Sequence, residues 1–405
     1  MKKKYIFITF SIINAGGSQL YVRNKVNFLR KQGYDVFVFS AMEGPVLIDG
    51  LREFEQCIDV NLAGVPQLMT KRGQRKTLEK MVLTIGKCTE DCVVESHSTK
   101  FGLWGEMLAQ RLGIKHLLFS LEENNAALNK EHLQFLTFKL RQHALCGIIE
   151  RSLPLLFSKH GIQLKDNQYY TLRAHCNNPV EDITSVFELP QADYTICLMG
   201  RLNKGFMLPS AEAIAEYVAQ NPTARFNVVI IGGGDKQTEN KFQNCFSSLA
   251  NCHCLLTGFL MPIPYSFLTK MDVVVTSAGC CTACTNYGLA VISVDGNDYQ
   301  PIGMYKQTTD NSLFRTDEPI RSLSLWLDDV FKEKKYINHI IPFVPIEFDF
   351  SDHLIFSDQI DASMGYFDVN RIQLEWKYII SRRLRRMIYN IIGVNLYTKI
   401  SKLHK

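Results

Sequence analysis

Met199-Gly200-Arg201-Leu202-Asn203-Lys204-Gly205 follows the apolar run that begins at Ile196 and leads into an amphipathic helix, and Asn14-Ala15-Gly16-Gly17-Ser18 stands in the same way after Tyr5 to Phe10. Both read as strand-to-helix junctions, where glycines let backbone N–H groups approach an anion and the helix that follows presents its positive end. Two such junctions far apart in one chain predict two nucleotide-type lobes. Arg201 and Lys204 add a planar fork and a point charge to the later junction, which makes it the expected site of a charged ligand such as a diphosphate.

Outward from each junction the segments alternate between strand-like and helix-like, the pattern of parallel α/β sheets. In the first half, Val22, Val26 and Leu29 mark a helix that stops at Gly33. Strands are expected at Asp35 to Phe39, Cys92 to Glu95, His116 to Ser120, Cys146 to Glu150 and Tyr169 to Leu172, with a helix at Leu103 to Leu112. A second series starts at Tyr194, with strands at Ile196 to Met199, Val228 to Ile231, Asp272 to Val275 and Ala290 to Val294. The expectation is an α/β protein of two Rossmann-like lobes facing each other across a cleft. Its domains are an N-terminal lobe over 1–178, a linker over 179–192, a nucleotide-binding lobe over 193–365, and a basic amphipathic helical segment over 366–405.

The 405 residues exceed one ordinary core at about 150 residues per domain, and an apolar content of 46% suffices for two. The net charge of +5 is unevenly placed, because residues 371–405 hold nine Lys/Arg against the single acid Glu375. The remainder is mildly acidic, which excludes a nucleic-acid-binding surface by charge. Twelve cysteines without a regular framework point to a reducing compartment rather than a disulfide-stapled secreted fold. A cytoplasmic protein is expected, although Lys2 to Lys4 followed by Tyr5 to Ile13 imitates a signal peptide. No apolar run reaches about 18 residues, so a membrane span is not expected. From Glu375 to Ile392 the chain reads as a two-faced helix, with Trp376, Ile379, Ile380 and Leu384 on one side and Arg382, Arg385 and Arg386 on the other. It suits packing on the protein, docking on an anionic membrane surface at the inner face, or both.

The order of these motifs resembles the GT-B glycosyltransferases, in particular the family 4 nucleotide-sugar-dependent group, over nearly the whole chain. The resemblance is carried by Gly16-Gly17-Ser18-Gln19, Glu95-Ser96-His97-Ser98, Gly200 to Gly205, Ile230-Ile231-Gly232-Gly233-Gly234, Thr257-Gly258-Phe259 and Met271 to Ser277. It implies a hexosyltransferase of polysaccharide biosynthesis. Such an enzyme moves a sugar from a nucleotide diphosphate donor to a glycan or lipid-linked acceptor, with retention of configuration and no cofactor or metal. Two departures stand out. Relatives carry two glutamates eight residues apart before the last core strand, whereas Ala278 to Gly288 has no acid and Ala283 occupies the second glutamate's place. Where many relatives have a cleft histidine, this chain has Glu122.

The site expected from these readings pairs Glu122 and His97 as catalytic groups with Gly16, Gly17, Arg201, Lys204, Gly232, Gly233, Ser277 and Gly279 around the donor. Glu122 would orient an acceptor hydroxyl or take its proton, or else sit in a solvated loop beside Glu123. Arg201 and Lys204 would stabilise the charge that grows on the departing diphosphate. Gly232-Gly233-Gly234 lacks the later glycine of a dinucleotide fingerprint, so it fits a ribose or base contact better than a nicotinamide cofactor. Ser277 and Gly279 would offer a hydroxyl and open amides to phosphate oxygens, or would merely cap a helix. A lone histidine such as His97 more often packs than reacts. Cys252-His253-Cys254 and Cys280-Cys281-Thr282-Ala283-Cys284 lack the spacing of a closed zinc site and are expected to be small buried hydrophobes. Two other functions stay open: a binding or scaffold subunit that has lost catalysis, favoured by the missing glutamates, and a nucleotide-sugar epimerase.

Overall fold

The chain folds, in a computed structural model that describes residues 2–13, 16–121, 130–177, 179–374 and 379–380, into two units, Met1–Ala174 with Phe348–Lys405, and His175–Glu347. The first unit is built on β1 (Lys4–Thr9), β2 (Asp35–Ser40), β3 (Val93–His97), β4 (Lys115–Ser120), β5 (Leu145–Gly147) and β6 (Tyr170–Thr171). They lie in the order β2-β1-β3-β4-β5-β6, every pair parallel. Such a sheet needs cover on both faces. Helices α1 (Gly17–Lys31), α2 (Lys71–Ile85), α3 (Ser98–Leu112), α4 (Leu133–Arg141) and α5 (Ser152–Ser158) belong to this unit, and Tyr5, Ile6, Phe7 and Ile8 are wholly buried.

The second unit opens with the two-residue β7 (Val180–Glu181). It continues with β8 (Tyr194–Met199), β9 (Phe226–Ile231), β10 (Cys252–Gly258), β11 (Ile263–Pro264), β12 (Val273–Thr276), β13 (Val291–Val294) and β14 (Pro301–Met304). Its sheet runs β10-β9-β8-β12-β13-β14, parallel except for the last pair. This is the strand order of a dinucleotide-binding sheet. The accompanying helices are α6 (Met207–Gln220), α7 (Lys236–Phe246), α8 (Tyr265–Leu268), α9 (Gly279–Thr285) and α10 (Leu323–Phe331).

The domain boundaries differ from the sequence expectation in two places. The expected linker is not a free spacer, because β7 within it pairs in parallel with β11 and Val180 is buried. Residues 348–365, expected in the second lobe, belong to the first unit: α11 (Ser351–Asp358) and the turns after it bring Phe350, Phe356, Ile360, Val369 and Ile372 into burial. Cys252-His253-Cys254 proves to be edge strand β10, whose period of two puts both thiols on the face packed against the core. No cluster of three metal-ligating side chains occurs among the described residues. The expected basic helix over 375–392 lies outside the described residues apart from 379–380, and no helix among the described residues is long and apolar enough to cross a membrane.

Two buried ionic networks fasten the returning segment to the first unit. In one, the wholly buried Lys25 ammonium donates to Glu95 at 2.5 Å and to the Tyr5 hydroxyl at 2.8 Å, and stands 3.0 Å from His353 Nδ1 on α11. Tyr5 and Tyr21 also donate to Glu95, at 2.5 and 2.6 Å. Burial pushes Lys25 down and works to raise Glu95, but the Lys25 charge and the His97 hydrogen bond outweigh it and hold Glu95 well below the carboxylate range. In the other, Glu106 accepts from Lys139 at 3.0 Å and from the Phe367 backbone N–H at 2.7 Å, and lies 2.6 Å from His116 Nδ1. Burial lowers His116 to about 4, helped by Lys139 and opposed by Glu106. Glu106 sits at about 2, because Lys139 and His116 overcome its own burial. Both folded-state values lie below the unfolded ones, so the unfolded chain binds more protons and stability falls with acid. The expected result is a first-unit melting temperature that falls with acid. It should decline from about pH 6.5 through 4 as His116 titrates, then further toward pH 2 as Glu106 does. His116→Gln should flatten the upper part of that decline; an unchanged curve would remove His116 from the account.

Candidate active site

In open α/β sheets ligands settle beyond the carboxyl ends of the strands where the strand order reverses. In the second unit that point lies between β8 and β12, whose chain neighbours sit on opposite sides. The residues leaving these two strands are Gly200 to Gly205 and Ser277 to Gly279. In the first unit the reversal falls between β1 and β3, so the corresponding loops carry Gly16-Gly17 and His97-Ser98. Every described member of the expected site therefore stands at one reversal point or the other, or on the β9 loop beside it. At both corners a residue with a side chain is held at positive φ, Ser98 at 65° and Ala278 at 58°, a conformation that persists only where the surroundings over-determine it.

Arg201 is exposed and Lys204 half-buried, and neither has an ion-pair partner among the described residues. The turn that presents them is closed by Lys204 N donating to Arg201 O at 2.9 Å. Burial pushes the Cys280 thiol up while the Lys204 charge draws it down, which puts Lys204 within electrostatic reach of the start of α9. The acids around the same edge are engaged. Asp295 accepts from the backbone N–H groups of Asn297 at 2.6 Å and Arg315 at 2.6 Å. Asp298 pairs with Arg315 at 2.6 Å, and Asp235 caps α7 through Thr238 N at 2.8 Å. No acid occurs from Val273 to Val294. Two cations with no acid paired to them beside strand ends give this corner a positive local potential.

The glycines serve close packing first. A Cβ on Gly232 would run into the Gly200 carbonyl oxygen, and one on Gly234 would come within 3.0 Å of Leu202, so the triplet lets the β9 loop lie directly on the β8 loop. Leu202 N donates to Gly233 O at 3.2 Å across that contact. Ser277 departs from expectation. It is 2% exposed and its hydroxyl donates to the Ser312 carbonyl at 3.3 Å, while Ala278 N donates to the same oxygen at 2.6 Å. Its hydroxyl is thus occupied by the chain itself rather than offered to a phosphate. Gly279 begins α9, where a Cβ would approach Asn177 Oδ1 to 2.8 Å. Sequence reasoning missed the loop bearing Ser312, because a backbone carbonyl that closes a site has no side-chain signature.

In the first unit Gly16 caps α1 in extended conformation and Gly17 is exposed as its first residue. Gln19 steadies the loop by donating to Ser11 O at 2.8 Å. His97 is 4% exposed, with Nδ1 3.0 Å from the Thr9 hydroxyl and Nε2 3.0 Å from Glu95. Both ring nitrogens are engaged, so His97 has no nitrogen left for a substrate and belongs to the buried network that sets the β3 corner. Glu122 lies outside the described residues.

No family model and no curated protein matches the chain. Solved structures do. A glycosyltransferase from Rickettsia africae aligns over 97% of this chain and 99% of its own, with a TM-score of 0.55 and 13% identity. Anabaena HepE, solved in complex with UDP and glucose, aligns over 95% and 100%, with a TM-score of 0.51 and 12% identity. TarM aligns over 95% and 98%, with a TM-score of 0.51 and 8% identity. At such identities the likeness is one of fold, and the fold is GT-B, two Rossmann-like lobes in a single chain.

Proposed function

We propose that the protein is a glycosyltransferase that takes a hexose-type sugar from a nucleoside diphosphate donor, with retention, and delivers it to a polysaccharide or lipid-linked glycan. The observation that carries this reading is the unneutralised pair Arg201 and Lys204 at the strand-order reversal of the second unit. In that place the two cations bind the donor diphosphate and balance the charge it acquires as the glycosidic bond breaks, so no metal or other cofactor is invoked. The binding of UDP by HepE, on the same fold, supports a uridine donor. Acceptor chemistry is assigned to Glu122 as the base or orienting group, with His97 as a positioning residue behind the β3 corner. The arginines Arg382 to Arg386 are assigned to an anionic membrane surface on the cytoplasmic side.

A thermal-shift series over nucleoside diphosphates and their sugar conjugates tests the donor assignment. A bound ligand raises the melting temperature by mass action, by about 2.7 kcal/mol of stability at a hundred times its Kd. The expected result is stabilisation by one nucleoside diphosphate and by its sugars, followed by release of that diphosphate when a glycan acceptor is added. No shift with any of them rejects the reading. The acid-free stretch from Val273 to Val294 favours one other function, a binding subunit without turnover, and donor binding with no sugar transfer to any acceptor would select it.

A further inference from the structure

The cationic turn is held on one flank by the β9 loop, through Leu202 N and Gly233 O. On the other flank, at Gly205, it meets Tyr299. The three atoms nearest to a Cβ built on Gly205 all belong to that side chain: Cζ and the hydroxyl oxygen at 2.3 Å and Cε1 at 2.6 Å. The end of the ring therefore occupies the space where a side chain at 205 would stand. Gly205 is not among the glycines with positive φ, so glycine is required there to admit the ring and not for its backbone freedom. Tyr299 is itself strained. It lies in the connection between β13 and β14 with φ at 63°, a region that a bulky side chain rarely adopts. Its N–H donates to Asp295 O at 3.2 Å. Arg315 spans the same connection, with Nη1 2.6 Å from Asp298 and Nη2 donating to Pro301 O at 2.8 Å. Such a network is what keeps a strained residue in place.

Burial of the ring does not repay that strain, because Tyr299 is 39% exposed and belongs to neither core cluster of the second unit. What the conformation achieves is the contact with Gly205. We propose that Tyr299 is a positioning residue for the donor site: its ring braces the turn from Arg201 to Gly205 and so fixes the Lys204 ammonium toward the donor diphosphate. The inference rests on the donor assignment of Arg201 and Lys204. Gly205 directly follows Lys204, and Met207 N donates to Lys204 O at 3.1 Å, so a ring pressed on Gly205 constrains the backbone that carries the ammonium. A charge-assisted contact depends on such placement, and displacement by about 1 Å is enough to cost function. The ring and not the hydroxyl performs this role.

The test is titration calorimetry of the full chain with UDP. Tyr299→Ala should weaken binding by about three- to tenfold, the range for the ordering that a preformed site spares its ligand. Tyr299→Phe keeps the ring and should bind like the wild type. Gly205→Ala drives the ring off the turn and should lose about as much as Tyr299→Ala. The two together should lose no more than either alone, because they break one contact. In a Lys204→Ala background the further loss on Tyr299→Ala should shrink, which a general loosening of the unit would not produce. Unchanged melting curves verify that the variants fold. Should Tyr299→Ala fail to fold, Gly205→Ala against Tyr299→Phe decides. Wild-type affinity in both Tyr299→Ala and Gly205→Ala, additive losses in the double variant, or a Tyr299→Phe loss equal to that of alanine overturns the proposal while leaving the donor assignment standing. A wild type that takes up no UDP overturns the donor assignment and this inference with it.

Discussion

Lys25→Met should destabilise the first unit by about 3–5 kcal/mol, the loss typical of removing one partner from a buried ion pair. Glu95 would stay buried with its negative charge and lose the ammonium 2.5 Å away, while only Tyr5, Tyr21 and His97 still contact it. The effect should shrink in the double variant Lys25→Met with Glu95→Gln, because a neutral amide in place of the carboxylate removes the uncompensated charge. Denaturant unfolding followed by a probe in the first unit measures this. Two units need not unfold together, so the first unit's own transition is the quantity to compare. A single variant that unfolds within about 1 kcal/mol of the wild type would mean the pair contributes no more than an exposed one.

Arg201→Ala and Lys204→Ala should each weaken UDP binding by about 1.5–3 kcal/mol, roughly ten- to a hundredfold, the range for hydrogen bonds to charged groups. Both side chains are partly in water, so the lower end is expected at physiological salt and the losses should widen as salt is reduced. Neither cation has an ion-pair partner among the described residues, so removing it leaves no acid stranded and the fold should survive. Titration calorimetry with UDP supplies the affinities and thermal melts the stability control. Wild-type affinity in both variants would dissociate this corner from the donor.

Much of the architecture was legible without coordinates because parallel sheets impose a local signature. Short apolar runs such as Tyr5 to Ile8 and Val228 to Ile231 are buried on both faces, and glycine follows them where backbone must approach backbone. The alternation of such runs with amphipathic helices decided the fold class, and the cations Arg201 and Lys204 announced their chemistry by type and position. The sequence by itself thus determined two lobes and a cationic corner in the second. What it left open depends on contacts distant along the chain. Strand order, and with it the reversal points that gather Arg201 and Lys204 near the start of α9, follows from which strands pair. The return of residues 348–374 to the first unit rests on His353 meeting Lys25 and on Phe367 meeting Glu106. Those partners are hundreds of residues apart, and no local pattern encodes them. The same reason gives Ser277 and His97 partners within the chain: their polar atoms are engaged by Ser312, Thr9 and Glu95. A side chain's type shows what chemistry it offers, and only tertiary packing decides whether that capacity is still free.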